Sequence, residues 1–276
     1  MKIIVGKNSG FCFGVRRAIS GTEEQVEKYK KIKCLGHLVH NEIVTKELEE
    51  KGVTFINDIS EAESNSVLII RAHGVSEKIY KQAKMKNIKL IDYTCPKVCQ
   101  IHNKIKDAAD KGYQVILIGK KEHPEVIGSK GYASNVIILD NVEDVESLKD
   151  YEKVFVIVQT TFSYDKYKLI ESALAKRYKN IEFVNSICES TKLRQEECKK
   201  IAEQVDFMII IGGIKSSNTQ KLYEVARKIN KNSIMIQDEN DEKINECKKH
   251  NSIGIMSGAS TPNYVVSNLV KKLENL

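Results

Sequence analysis

Residues 89–99 read Lys89-Leu-Ile-Asp-Tyr-Thr-Cys95-Pro-Lys-Val-Cys99. Five residues of strand character run into a polar turn, a cysteine and then Pro96, a residue suited to the first turn of a helix. The periodicity that follows predicts a helix over Lys97 to Lys111. A strand feeding a helix through a short turn is the repeating unit of a parallel α/β sheet. Two more cysteines stand in the same setting, in Gly10-Phe-Cys12-Phe-Gly14 and in Ser186-Ile-Cys188-Glu-Ser190, 83 residues before Cys95 and 93 after it.

The segments that follow repeat as well. Moving 28 residues on from each cysteine reaches a polar loop residue: His40, His123 and Ser216, the last within Lys215-Ser-Ser-Asn218. Further along each third a strand ends in a polar turn, in Ile70-Arg-Ala-His73-Gly74, Val158-Gln-Thr160-Thr161 and Met256-Ser-Gly-Ala-Ser260. The next cysteine comes 22 residues after His73 and 28 after Thr160; the 16 residues after Ser260, with the twelve up to Cys12, restore the interval of 28. The N-terminal strand is therefore expected to close the third lobe. The expected plan is α/β: three small parallel-sheet lobes over residues 14–94, 95–187 and 188–276, with residues 1–13 completing the third. They are expected to lie with approximate threefold symmetry around one centre.

About twelve strands are expected: Lys2 to Val5, Ile32 to Leu35, Val53 to Ile56, Val67 to Ile70, Lys89 to Tyr93, Gln114 to Ile118, Val136 to Leu139, Val154 to Val158, Glu182 to Val184, Phe207 to Ile211, Ser233 to Gln237 and Ile253 to Met256. Helices are expected over Val15 to Lys30 and Lys192 to Gln204, with a last one starting near Pro262.

Composition narrows the function. With 276 residues, 41% hydrophobic and 29% charged, and only 3 Pro, the chain reads as globular, not disordered or collagenous. Its apolar runs, such as Phe207 to Ile211, fall far short of the roughly 20 residues that span a bilayer. Met1 to Lys7 carry no signal-peptide pattern, so a cytoplasmic protein without a membrane partner is expected. The formal charge of +7 favours anionic partners. No dense basic block carries interleaved aromatics, which argues against nucleic acid and leaves a phosphorylated small molecule. Seven cysteines, an odd set in a reducing compartment, point to metal or redox chemistry before disulfides.

In open α/β sheets ligands bind where strands end and helices begin. If the lobes share an axis, Cys12, Cys95 and Cys188 converge there, each beside a helix N-terminus that favours thiolate. Three thiolates are one short of a closed tetrahedral zinc or an ordinary 4Fe-4S site, which leaves one metal position open to substrate. His40, His73 and His123, with Thr160, Ser216, Ser217, Asn218 and Ser260, offer donors suited to phosphate oxygens. Glu125, next to Pro124, is the single carboxylate inside a repeated loop and so the candidate proton donor. Burial beside an anion would keep such a group protonated.

These residues resemble a known family, the 4-hydroxy-3-methylbut-2-enyl diphosphate reductases of the non-mevalonate isoprenoid pathway. The likeness runs nearly end to end: Gly10-Phe-Cys-Phe-Gly-Val15, Val39-His-Asn41, Ala72-His-Gly-Val75, Thr94-Cys-Pro96, Gly119 through His123-Pro-Glu-Val126, Gln159-Thr-Thr161, Ile187-Cys188, Ser216-Ser-Asn218 and Gly258-Ala-Ser260. The resemblance implies one 4Fe-4S cluster on Cys12, Cys95 and Cys188 with one open iron. It implies that the substrate hydroxyl reaches that iron, and that His40, His73, His123, Ser216, Ser217, Asn218 and Ser260 hold the diphosphate. Thr160 would position the alcohol, and Glu125, with His123 beside it, would serve proton delivery. The implied reaction is a two-electron reductive dehydroxylation to isopentenyl and dimethylallyl diphosphate, releasing water. Ferredoxin or flavodoxin would supply the electrons to a monomer or weak dimer. Two local departures are Phe13, where the family commonly has Ala, and Gly213-Ile214 before Lys215.

Taken singly, a cysteine is more often a small buried hydrophobe, the reading given to Cys34, Cys198 and Cys247. Cys99 would sit one helical turn beyond Cys95, pointing away from the site mouth. His37, His102 and His250 are read as surface or core residues, Ser216-Ser-Asn218 could be no more than a helix cap, and Glu125 could be a first-turn carboxylate favoured by the helix dipole. Two other functions stay open at this level. A cluster with an open iron could act as a Lewis acid in a non-redox hydro-lyase, and three thiolates could serve a redox sensor or a structural zinc in a binding protein.

Overall fold

The structure, a computed structural model, describes residues 1–275. Its strands are β1 (Lys2–Val5), β2 (Ile32–Leu35), β3 (Val53–Ile56), β4 (Val67–Ile70), β5 (Lys89–Asp92), β6 (Gln114–Ile118), β7 (Val136–Leu139), β8 (Val154–Val158), β9 (Ile181–Val184), β10 (Phe207–Ile211), β11 (Ser233–Ile236) and β12 (Ser252–Ser257). Nine helices alternate with them among the described residues: α1 (Phe13–Tyr29), α2 (Glu42–Glu50), α3 (Glu77–Met85), α4 (Pro96–Asp110), α5 (Pro124–Lys130), α6 (Tyr164–Arg177), α7 (Glu189–Ala202), α8 (Ser217–Ile229) and α9 (Asn263–Glu274).

The strands make three four-stranded parallel sheets in the orders β3-β2-β4-β5, β7-β6-β8-β9 and β11-β10-β12-β1. The order of strands is the same in all three, and β1 takes the fourth place in the last. Parallel strands are covered by helices on both faces, so their central members read as unbroken apolar runs. Every residue of β6, β8 and β10 is buried. Alternation then splits each strand between two cores. Val154, Val156 and Val158 face Tyr167, Ile170 and Leu174 of α6. Phe155 and Ile157 face Ile101 and Ile105 of α4 and Val126 of α5. In β10, Phe207, Ile209 and Ile211 meet Val265 and Leu269 of α9, while Met208 and Ile210 meet Cys198 of α7 and Leu222 of α8.

Two compact units result. One holds residues 1–16, 39–51 and the chain from Glu189 onward, around the sheet β11-β10-β12-β1; Ile43 of α2 packs on its core. The other holds residues 17–38 and 52–188, with the remaining two sheets. No helix among the described residues is long and apolar enough to cross a membrane.

All twelve expected strands are present, with shifts at their ends. β5 stops at Asp92 because that carboxylate accepts the Thr94 N–H at 2.8 Å and turns the chain. α1 begins at Phe13, two residues early: the Cys12 carbonyl already accepts from Arg16 N–H at 2.9 Å. Pro262 stands at the cap of α9, just outside the first turn.

Candidate functional site

In the first unit, Cys12 lies on a loop tied down at four points. Gly10 N–H donates to Ser257 Oγ at 2.6 Å, Ser257 N–H to Ser9 Oγ at 3.2 Å, and Cys12 N–H to the Ala259 carbonyl at 3.1 Å. Arg194, buried on α7, donates through Nη2 to the Gly10 carbonyl at 2.8 Å and through Nη1 to the Ser190 carbonyl at 3.1 Å. Gly10 has φ +93°, and a Cβ there would stand 1.8 Å from Asn263 Oδ1, so only glycine fits. Arg194→Met removes the Gly10 donor and is expected to cost roughly 1–3 kcal/mol of stability, read from urea denaturation of the apoprotein.

The same unit gathers His40, Ser216, Ser217, Asn218 and Ser260. Asn41, the cap of α2, donates through Nδ2 to the Ser260 carbonyl at 2.9 Å, and Ser260 Oγ donates to the His40 carbonyl at 3.4 Å. The turn before α8 presses on the same backbone, since a Cβ on Gly213 would come within 2.2 Å of the His40 oxygen. Ser216 caps α8 by accepting the Thr219 N–H at 3.4 Å. Both side-chain atoms of Asn218 are buried with no hydrogen-bond partner among the described residues. A buried amide without partners is costly unless a ligand satisfies it.

The second unit gathers His73, Cys95, His123, Glu125, Thr160 and Cys188. Pro96 and Pro124 open α4 and α5, so Cys95 and His123 become the capping residues at the ends of their strands. Cys95 N–H donates to the Ala72 carbonyl at 3.0 Å, and Cys188 N–H to the Thr160 carbonyl at 2.9 Å. The rings of His73 and His123 stand edge to face with centroids 5.4 Å apart. His123 Nδ1 accepts the Glu125 N–H at 3.2 Å, which makes Nε2 the donor side of the ring. Gly74 follows His73 with φ +72°, and a Cβ on Gly128 of α5 would touch its backbone at 3.3 Å. The two histidine loops are thus in close contact.

Glu125 is fully shut away, and both of its oxygens are used by one residue. Thr160 N–H donates to Oε1 at 2.7 Å and Thr160 Oγ1 to Oε2 at 2.6 Å. Burial pushes its carboxyl up to about 7, with the two Thr160 hydrogen bonds pulling the other way. Gln159 braces the loop: its Oε1 accepts the Lys120 N–H at 3.1 Å and its Nε2 donates to Thr161 Oγ1 at 2.8 Å.

The seven cysteines fall into two kinds, and no disulfide joins any of them among the described residues. Cys34, Cys198 and Cys247 are fully buried, and burial pushes their thiols up to about 12, 12 and 11. Cys12, Cys95 and Cys188 are partly exposed at strand-to-helix junctions. Cys99 is partly exposed too, one turn into α4, where its N–H donates to the Cys95 carbonyl at 3.0 Å. Burial and the Asp92 carboxylate raise its thiol. Reading the sequence alone missed Arg194, Asn41 and Gln159 as the parts that hold these loops; the quoted motifs contained the last two without a role.

The family model described as LytB protein matches residues 3–274. A 4-hydroxy-3-methylbut-2-enyl diphosphate reductase of Clostridioides difficile is 42% identical over the whole of both chains. The enzyme of that name from Aquifex aeolicus is 34% identical over 99% of this chain and 96% of its own. Among solved structures, the E-1-hydroxy-2-methyl-but-2-enyl-4-diphosphate reductase of Plasmodium falciparum superposes with a TM-score of 0.96 at 36% identity, covering 99% of this chain and 88% of the other.

Proposed function

The chain belongs to the LytB family, and from that premise we propose that the two groups of residues above carry out the reduction of 4-hydroxy-3-methylbut-2-enyl diphosphate. It is an oxidoreductase, the enzyme of the last step of the non-mevalonate pathway. The observation that carries this reading is the match over the full chain at up to 42% identity. In the balanced reaction an allylic C–OH bond breaks, two electrons and two protons are consumed, and water leaves with isopentenyl or dimethylallyl diphosphate as the other product.

The enzyme is an iron-sulfur protein, and we place a 4Fe-4S cluster on Cys12, Cys95 and Cys188. The donor set fits: these thiols stand half-open at helix starts, within reach of a metal, whereas the buried thiols hold their protons. When bound, the cluster supplies the electrons and an open iron for the alcohol oxygen. His40, His73, His123, Ser216, Ser217, Asn218 and Ser260 hold the diphosphate, with imidazole N–H, hydroxyl and amide donors suited to its oxygens. Thr160 orients the alcohol, and the protonated carboxyl of Glu125 behind it delivers the proton. Of the three lobes we infer, over residues 14–94, 95–187 and 188–276 with residues 1–13 joined to the last, the second carries Cys95, the third carries Cys188 and, through the N-terminal segment, Cys12, and the first supplies His40 and His73.

An anaerobic assay with the diphosphate alcohol and reduced methyl viologen tests the reading. Consumption of dye with release of both products is expected, from protein holding about four irons per chain. Turnover without reductant would mean a hydro-lyase, and zinc without sulfide would exclude the mechanism. Asn218→Ala separates binding from folding. Its amide has no partner to lose among the described residues, so stability should hold while KM for the substrate rises roughly tenfold or more.

A further inference from the structure

A histidine given no part in the site, His102, is only 3% exposed and stands where three segments of the second unit meet. It lies two turns into α4, the helix capped by Cys95. A Cβ on Gly74, the residue after His73, would come within 2.7 Å of His102 Cε1 and 3.3 Å of Val98 Cγ1, one turn earlier on the same helix. The His102 ring also lies on that of Tyr132, just past α5, with centroids 4.1 Å apart and planes 17° apart. One side chain thus touches the loop that carries His73 and the segment that leaves the helix capped by His123.

Gly74 is a tight turn, with φ +72° and its N–H donating to the Arg71 carbonyl at 3.0 Å. Whatever packs on it sets the direction in which His73 leaves the strand, because a close-packed interior passes a shift on instead of absorbing it. His102 Nε2 is buried with no hydrogen-bond partner among the described residues, so at that nitrogen the ring supplies shape and stacking. Burial pushes its imidazolium down to about 4, with Asp92 pulling the other way. The ring is neutral at pH 7 and draws no anion by charge.

We propose that His102 is a positioning residue for diphosphate recognition: stacked on Tyr132, it wedges the Gly74 turn and fixes where the His73 ring stands beside that of His123. The proposal deepens the reductase reading above and rests on it. His102 itself is shut away from the substrate and acts through His73.

The test measures binding of inorganic diphosphate to anaerobic holoenzyme by calorimetry, and turnover with reduced methyl viologen. His102→Ala is expected to weaken diphosphate binding about tenfold and to raise KM for the diphosphate alcohol in step, with kcat within about threefold of the parent and iron content unchanged. His73→Ala weakens binding as well, and in that background His102→Ala should add less than about twofold, since the residue it acts through is gone. Tyr132→Leu, which removes the stack from the other side, should show the same pattern and carries the test if His102→Ala does not fold. An unchanged affinity, or a loss of equal size with and without His73, would overturn the proposal and leave the reductase reading standing. Diphosphate binding indifferent to His73→Ala would overturn the assignment of His73 and this proposal together. Parent holoenzyme that shows the coupling but does not turn over with the dye would sink the reductase reading instead.

Discussion

Cys12→Ser, Cys95→Ser and Cys188→Ser are each expected to drop iron from about four per chain to below about one, whereas Cys99→Ala and the corresponding change at Cys34, Cys198 or Cys247 should leave it intact. The difference is one of access, together with the raised thiols of the other four cysteines. A thiol binds iron as thiolate. A buried thiol raised to about 12, as at Cys34 and Cys198, is strongly disfavoured in that form at pH 7. The three proposed ligands are partly open, and their backbone N–H groups are fixed to Ala259, Ala72 and Thr160 at 2.9–3.1 Å. Cys99 is the informative control, because it shares α4 with Cys95 and is also partly exposed. Its thiol is raised by burial and by Asp92, so it has less tendency to ionise. Iron analysis and visible absorption after anaerobic purification decide the matter. Loss of iron in Cys99→Ala equal to that in Cys95→Ser would refute the three-cysteine set.

Much of this was legible because parallel α/β units impose a rhythm. Each strand must end in a loop that caps the next helix, so recurring polar residues at constant offsets mark the ends of strands. Cys95, His123 and Ser216 are indeed helix caps. The apolar runs of β6, β8 and β10 were readable for the same reason: after Gln114 at the start of β6, these strands, buried on both faces, carry no polar residue to confuse the pattern. What could not be read is what depends on contacts across long stretches of chain. Asn41 holds the Ser260 loop, 219 residues away in sequence, and Arg194 holds Gly10 from 184 residues away. Nothing in the local pattern distinguishes Arg194 from the solvated lysines around it on α7; only its burial does. The elevated carboxyl of Glu125 was likewise a matter of environment, since desolvation depends on everything packed around the group.

Glu125→Gln should lower turnover on the order of a thousandfold while leaving iron content and substrate binding largely intact. The amide keeps the shape of the carboxyl: its oxygen can accept the Thr160 N–H now bonded at 2.7 Å, and its nitrogen can face Thr160 Oγ1, which rotates to accept. What the variant lacks is a proton to give. The pH profile separates this from a packing defect. Burial holds the carboxyl near 7, so the donor is protonated below that pH and kcat should fall as pH rises through it. The residual rate of Glu125→Gln should lose that alkaline limb. Thr160→Val supplies the complementary sign: it removes the Oγ1 donation that stabilises the ionised carboxylate, so Glu125 should hold its proton to higher pH and the limb should move in the alkaline direction, even as turnover drops for want of the orienting hydroxyl. A Glu125→Gln enzyme with near-normal kcat, or a Thr160→Val profile shifted toward acid, would remove Glu125 from the role of proton donor.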